Sequence, residues 1–154
     1  MKIIMLAGES HKGKTETLKL VYERLSNNIK PTYYQEFTYI NSFDIECYPL
    51  YHHDKKVALC TEGDDWAHVK NTIIKFNCIG ADVLIIAFNQ FDIGAEAKND
   101  SDKKADMQLF TPDVLKDIQP HCVIQKRVTG NKYILSTTDN ENNEKDCQAI
   151  IDRI

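Results

Sequence analysis

The sequence has no apolar run approaching the roughly 20 residues that a membrane-spanning helix needs, and no Cys-x-x-Cys pair among its five cysteines. The first absence excludes a helical membrane protein. The second leaves an odd, scattered set: Cys47, Cys60, Cys78, Cys122 and Cys147. Three of them lie inside or beside apolar runs, where free cysteine behaves as a small hydrophobe, so reduced thiols in a cytoplasmic protein are expected. Positive charge is also in short supply. Nineteen basic residues face 23 acidic ones, a net charge of -4. Nucleic acid is therefore not expected as the main partner, although a local basic site can still hold a phosphate. Arginine is scarcer still, occurring only as Arg24, Arg127 and Arg153. There is no internal repeat, low-complexity tract or linker. Lys2 ahead of Ile3-Ile4-Met5-Leu6-Ala7 looks like the opening of a secretory leader, but five apolar residues are too few for its hydrophobic region. One domain over residues 1–154 is expected, long enough to bury roughly 70% of the surface of its unfolded chain.

Short apolar runs alternate with helical patterns. Residues 2–7 are apolar on both faces, as a central parallel strand requires. From Thr15 the apolar residues Leu18, Val21, Tyr22 and Leu25 recur at helical spacing, and Pro31 bars continuation. Residues 43–51 and 56–60 read as an antiparallel strand pair around His52-His53-Asp54-Lys55. A second helix runs through Trp66, Val69, Ile73 and Phe76 to Gly80. Val83 to Phe88 is the most apolar segment and predicts a central strand. Polar residues follow for about twenty positions, and then a short helix begins at Pro112 and closes at Pro120. Residues 122–128 and 133–136 predict a terminal hairpin. Cys147, Ile150, Ile151 and Ile154 predict a last helix, with Asp139, Glu141 and Glu144 near its positive end. This alternation indicates an α/β fold of three layers, a mainly parallel sheet with antiparallel hairpins.

Between the first strand and the first helix stands Gly8-Glu9-Ser10-His11-Lys12-Gly13-Lys14-Thr15, a full match to Gly-x-x-x-x-Gly-Lys-[Ser/Thr]. Glycines at both ends free the backbone to turn successive N–H groups inward around phosphate oxygens, and the helix start adds its positive field. In this segment and its strand–helix setting the chain resembles the P-loop NTPase superfamily. The resemblance implies a nucleoside triphosphate as ligand or substrate, ATP ahead of GTP, bound with Mg²⁺. It implies nucleotide contacts from Gly8, Glu9, Ser10, His11, Lys12, Gly13, Lys14, Thr15 and Thr17. Lys14 would stabilise phosphate charge and Thr15 would join the Mg²⁺ shell.

P-loop proteins usually place an acid at the end of a neighbouring strand to hold the Mg²⁺ shell. The strand at 57–60 runs into Thr61-Glu62-Gly63-Asp64, so Asp64 is the first candidate and Glu62 the second, the latter also suited to orient water or an acceptor. Thr61 stands where the acid ordinarily sits, and the competing reading of Asp64 and Asp65 is a helix cap. The stretch 93–106 contains lysines but no arginine, so a lid-driven nucleotide kinase is not expected, and Arg127 is the one plausible arginine finger. Hydrolysis, or phosphoryl transfer to a small-molecule or protein acceptor, survives. The alternative is a nucleotide switch. The element order and Asn89-Gln90-Phe91-Asp92 resemble small GTPases and their Asn-Lys-x-Asp motif, with Gln90 in place of the lysine.

The remaining candidates read as ordinary structure. His52, His53 and Asp54 fit no standard zinc spacing and are expected to form a solvated turn. Trp66 opens a helix and is expected to pack rather than to stack on a base. None of the cysteines has the neighbouring base that would mark a nucleophile, so no nucleophile is expected.

Overall fold

The computed structural model describes residues 1–8, 13–26, 39–40, 44–63, 66–89, 122–127 and 137–154. Among them are six strands, β1 (Lys2–Gly8), β2 (Tyr39–Ile40), β3 (Ile45–His52), β4 (Lys55–Cys60), β5 (Val83–Asn89) and β6 (Cys122–Gln125), and three helices, α1 (Lys14–Ser26), α2 (Trp66–Cys78) and α3 (Thr137–Ile151). The strands form one mixed sheet in the order β2-β3-β4-β5-β1-β6. β4, β5, β1 and β6 run parallel, and β3 pairs antiparallel with both β4 and β2.

Side chains alternate across the sheet, and the two faces hold two separate cores. Ile4 and Leu6 of β1, Leu59 of β4 and Ile85 of β5 pack with Leu18, Val21 and Leu25 of α1 and with Cys147 and Ile150 of α3. Ile3, Met5, Ala58, Cys60, Leu84 and Ile86 pack on the other face with Val69, Ile73 and Phe76 of α2. The result is three layers, α1 and α3 on one side and α2 on the other. Both central strands are apolar on both faces for this reason.

The local signals act as their chemistry predicts. α2 ends in a Schellman motif: the Ala81 N–H donates to the Phe76 carbonyl at 3.0 Å and the Gly80 N–H to that of Asn77 at 3.2 Å. The motif needs a left-handed residue, and Gly80 has φ +80°. The β3/β4 hairpin turns at His53 and Asp54, with His52 opposite Lys55. Its register slips between Cys47 and Leu50, around Pro49, which has no N–H to give the ladder.

Residues 122–125, the first arm of the expected hairpin, form β6, paired parallel with β1 through Met5 opposite Val123. The second arm, 133–136, lies outside the described residues, as do 90–121 with the short helix from Pro112 to Pro120. The 57–60 strand is not the neighbour of β1, because β5 lies between them. Among the described residues no helix is long and apolar enough to cross a membrane.

Candidate functional site

In open α/β sheets ligands collect outside the carboxyl ends of the parallel strands. At that edge β1 ends on Gly8, and the chain re-enters the described structure at Gly13, which has φ +80°. Only glycine adopts this conformation without strain. Gly13 starts α1, its carbonyl accepting the first helical bond from the Thr17 N–H at 3.0 Å. Lys14 is therefore the first residue of the helix, at the positive end of its dipole. Its ammonium reaches back to β1 and donates to the Gly8 carbonyl at 3.0 Å. A neutral carbonyl is an acceptor that phosphate oxygens can replace with stronger, charge-assisted bonds.

The two glycines, Gly8 and Gly13, lie against residues from the other end of the chain. A Cβ placed on Gly8 would lie 2.9 Å from Cβ of Lys126, and one on Gly13 would lie 3.2 Å from Oδ1 of Asn143. Glycine at 8 is thus required by the close approach of β6, where the Lys126 N–H donates to the Ala7 carbonyl at 2.7 Å. The Lys126 ammonium donates to Asp146 Oδ2 at 2.9 Å and to the Arg127 carbonyl at 3.2 Å. Side-chain exposure is 1% for Lys126 and 0% for Asp146, so the pair is fully buried. The Arg127 N–H donates to the same carboxylate at 3.0 Å, and its guanidinium pairs with Asp146 Oδ1. Arg127 is thereby paired with α3 in this structure.

Thr17 is turned inward. Its hydroxyl oxygen lies 3.0 Å from the Gly13 carbonyl and 3.1 Å from Asn143 Oδ1. One hydroxyl proton serves one acceptor. With the Asn143 amide turned over, Thr17 donates to Gly13 and accepts from the amide nitrogen, and both contacts are met. Thr17 and Asn143 thus join the start of α1 to α3 beside Gly13. Thr15 is half-buried in the first turn of α1, and Glu9, Ser10, His11 and Lys12 lie outside the described residues.

The acidic turn after β4 is described as far as Gly63. Thr61 is a clasp to β3: its hydroxyl accepts from the Ile45 N–H at 2.8 Å and donates to Asp44 at 2.9 Å, and its own N–H donates to the Ile45 carbonyl at 2.9 Å. That bonding accounts for a threonine where the resemblance leads one to expect an acid. Gly63 lies against β5 so closely that a Cβ there would be 2.0 Å from the Ala87 carbonyl oxygen. The chain is thereby brought over β5, the strand next to β1. Glu62 is exposed, with its carboxylate 3.6 Å from His68 Nε2. Asp64 lies outside the described residues, as do Gln90, Phe91 and Asp92 of the guanine-motif resemblance.

One reading of the cysteines is corrected. Cys60 does have a basic neighbour, His68 Nε2 at 3.8 Å, contributed by α2 rather than by adjacent sequence. Burial, opposed in part by a bond to the Glu62 backbone and reinforced by the carboxylates of Glu46, Glu62 and Asp44, raises the thiol to about 12. All five cysteines are free, with Cys47, Cys60 and Cys147 buried. The His52–Lys55 turn is open to solvent at His53 and Asp54, as expected.

The elements that sequence reasoning missed are Lys126, Asn143 and Asp146. A signal for two of them was present: Asp139, Asn143, Asp146 and Ile150 recur at helical spacing along the apolar stripe of α3, and all are buried. Polar residues on such a stripe need partners. These features define an α/β chain with a glycine-bounded strand-to-helix turn carrying a lysine at the helix start. Compared with family models, curated proteins and solved structures, the chain matches none.

Proposed function

We propose that the chain binds a nucleoside triphosphate with Mg²⁺, ATP ahead of GTP, through Gly8 to Thr15, and hydrolyses it or transfers its terminal phosphoryl group. The observation that carries the reading is the Lys14 ammonium at the start of α1, turned back onto the Gly8 carbonyl at the end of β1 at 3.0 Å. Three donor types then converge on one anion: loop N–H groups, the helix terminus and a lysine that exchanges a neutral acceptor for a charged one. Lys126 is held by Asp146 and serves to support the loop, leaving Lys14 the role of neutralising phosphate charge.

Thr15 and Asp64 are the proposed ligands of the Mg²⁺, which would neutralise charge on the phosphates. Asp64 is preferred to Glu62 because it follows Gly63, which lies against Ala87 of β5, the strand next to β1, whereas the Glu62 carboxylate is directed to His68. The acceptor, if not water, is a small molecule or a protein.

Calorimetric titration with MgATP and MgGTP tests the proposal. The wild-type chain is expected to bind at least one of them. Lys14→Ala is expected to abolish binding with unchanged circular dichroism, while Lys19→Ala on the same helix binds normally. Equal affinity in wild type and Lys14→Ala would overturn the reading. Multiple-turnover assays with candidate acceptors then distinguish a catalyst from a switch.

A further inference from the structure

On the face of the sheet away from α1 and α3, three side chains from three elements converge. Glu46 of β3 and Cys60 of β4 are directly opposite in the antiparallel ladder, so their side chains stand on one face about 5 Å apart at Cβ. His68, in the first turns of α2, comes down over them. The carboxylate, thiol and imidazole ligand atoms all lie within 4.8 Å of one another. Cys60 Sγ and His68 Nε2 are 3.8 Å apart. Two ligands on one tetrahedral zinc ion, with Zn–S about 2.3 Å and Zn–N about 2.0–2.1 Å, are about 3.6 Å apart. The Glu62 carboxylate stands 3.6 Å from the same nitrogen, close to the roughly 3.4 Å that a nitrogen and an oxygen ligand would show. We propose that Glu46, Cys60 and His68 form a site for a borderline-soft divalent cation, zinc(II), with Glu62 placed to complete the fourth position.

The chemistry of the surroundings favours a cation. Three carboxylates, of Asp44, Glu46 and Glu62, bear on the Cys60 thiol, and Lys75 pairs with Glu46 from an exposed position on α2. Zinc(II) with the Cys60 thiolate, the Glu46 carboxylate and a neutral imidazole is electrically neutral, and the one negative charge that Glu62 adds lies on the solvent-exposed side, away from the packed core. Binding breaks the Cys60 S–H bond, forms Zn–S and releases one proton to solvent. The thiol donates to the Glu62 carbonyl at 3.5 Å in the metal-free chain. A thiolate and an imidazole select zinc over magnesium, which prefers oxygen ligands. Cys60 is buried, while the side chains of His68 and Glu62 are 30% and 51% exposed, so an ion enters from their side. This site is separate from the nucleotide reading and does not depend on it.

The test uses the full chain without an affinity tag and without nucleotide. Zinc(II) is titrated in competition with a chromophoric chelator, and cobalt(II) is used as a spectroscopic substitute. The expected result is one equivalent of zinc, one proton released from the thiol, and a cobalt spectrum with a thiolate charge-transfer band and the intense visible bands of tetrahedral coordination. Cys60→Ala is expected to lose the charge-transfer band, and His68→Gln to weaken zinc binding by at least about 100-fold. Cys78→Ser, at an exposed cysteine away from the cluster, is expected to change neither. His68→Gln sits at a partly exposed helix position, so it keeps the test decisive if Cys60→Ala folds poorly. Undiminished zinc affinity in His68→Gln, a cobalt complex without a thiolate band, or no zinc uptake by the wild-type chain would overturn the proposal.

Discussion

Replacing Asp146 by alanine should be among the most damaging single changes to this fold. The carboxylate accepts from the Lys126 ammonium at 2.9 Å, from the Arg127 N–H at 3.0 Å and from the Arg127 guanidinium. Arg127 is half exposed, so its loss of a partner counts for about 1 kcal/mol or less. Lys126 is different. With 1% of its side chain exposed and one remaining acceptor among the described residues, the Arg127 carbonyl, its ammonium would be left buried and uncompensated. Breaking such a pair costs about 3–5 kcal/mol. For a chain of this size each kcal/mol moves the midpoint by about 2–4 °C, so thermal unfolding should fall by on the order of 10 °C. If uncompensated charge is the cause, removing both charges restores stability: Lys126→Met with Asp146→Leu should come within about 1–2 kcal/mol of wild type or exceed it. Urea denaturation of the two single variants and the double variant makes the comparison. A loss below about 1 kcal/mol in Asp146→Ala, or a double variant no better than the single one, would refute the reasoning.

Other perturbations follow from the same geometry. Gly63→Ala places a methyl group 2.0 Å from the Ala87 carbonyl oxygen, and the backbone must move. A loss of about 3 kcal/mol or more in urea denaturation is expected, and a neutral substitution would refute the packing of Gly63 on β5. Cys60 gives a pH dependence in the metal-free chain. Its thiol is held near 12 when folded against an ordinary 9.0. The unfolded chain therefore loses the proton first, and stability present below pH 9 declines as pH rises toward 12. Denaturant midpoints measured at rising alkaline pH should fall more steeply in wild type than in Cys60→Ala, by up to about 1.4 kcal/mol per pH unit. Parallel slopes would contradict the shift.

Much of the frame could be read locally. β1 and β5 are short runs apolar on both faces, α1 and α2 have clear 3.6-residue stripes, and Gly80 stops α2 by a motif with known bonding. The glycine-bounded loop falls between a strand and a helix because those same patterns bracket it. What was not legible depends on partners distant in sequence. An apolar run such as Cys122–Gln125 does not reveal whether its neighbour is parallel or antiparallel, and β6 takes the parallel place beside β1. The strand order is equally hidden, so the acid-bearing turn after β4 proves to be separated from β1 by β5. Lys126 and Asp146 are 20 residues apart, and each reads as an ordinary surface charge until β6 and α3 meet. Glu46, Cys60 and His68 likewise belong to no spacing pattern. The hairpin register and the seating of α2 bring them together.

The central claim is that Gly8 to Thr15 cradles a triphosphate. Its most direct measurement is a crystal structure of the chain with Mg²⁺ and a non-hydrolysable ATP analogue. The account predicts triphosphate density enclosed by the backbone of residues 8–15, with the Lys14 ammonium moved from the Gly8 carbonyl onto phosphate oxygens. Nucleotide density elsewhere on the molecule, with Lys14 still bonded to Gly8, would contradict it.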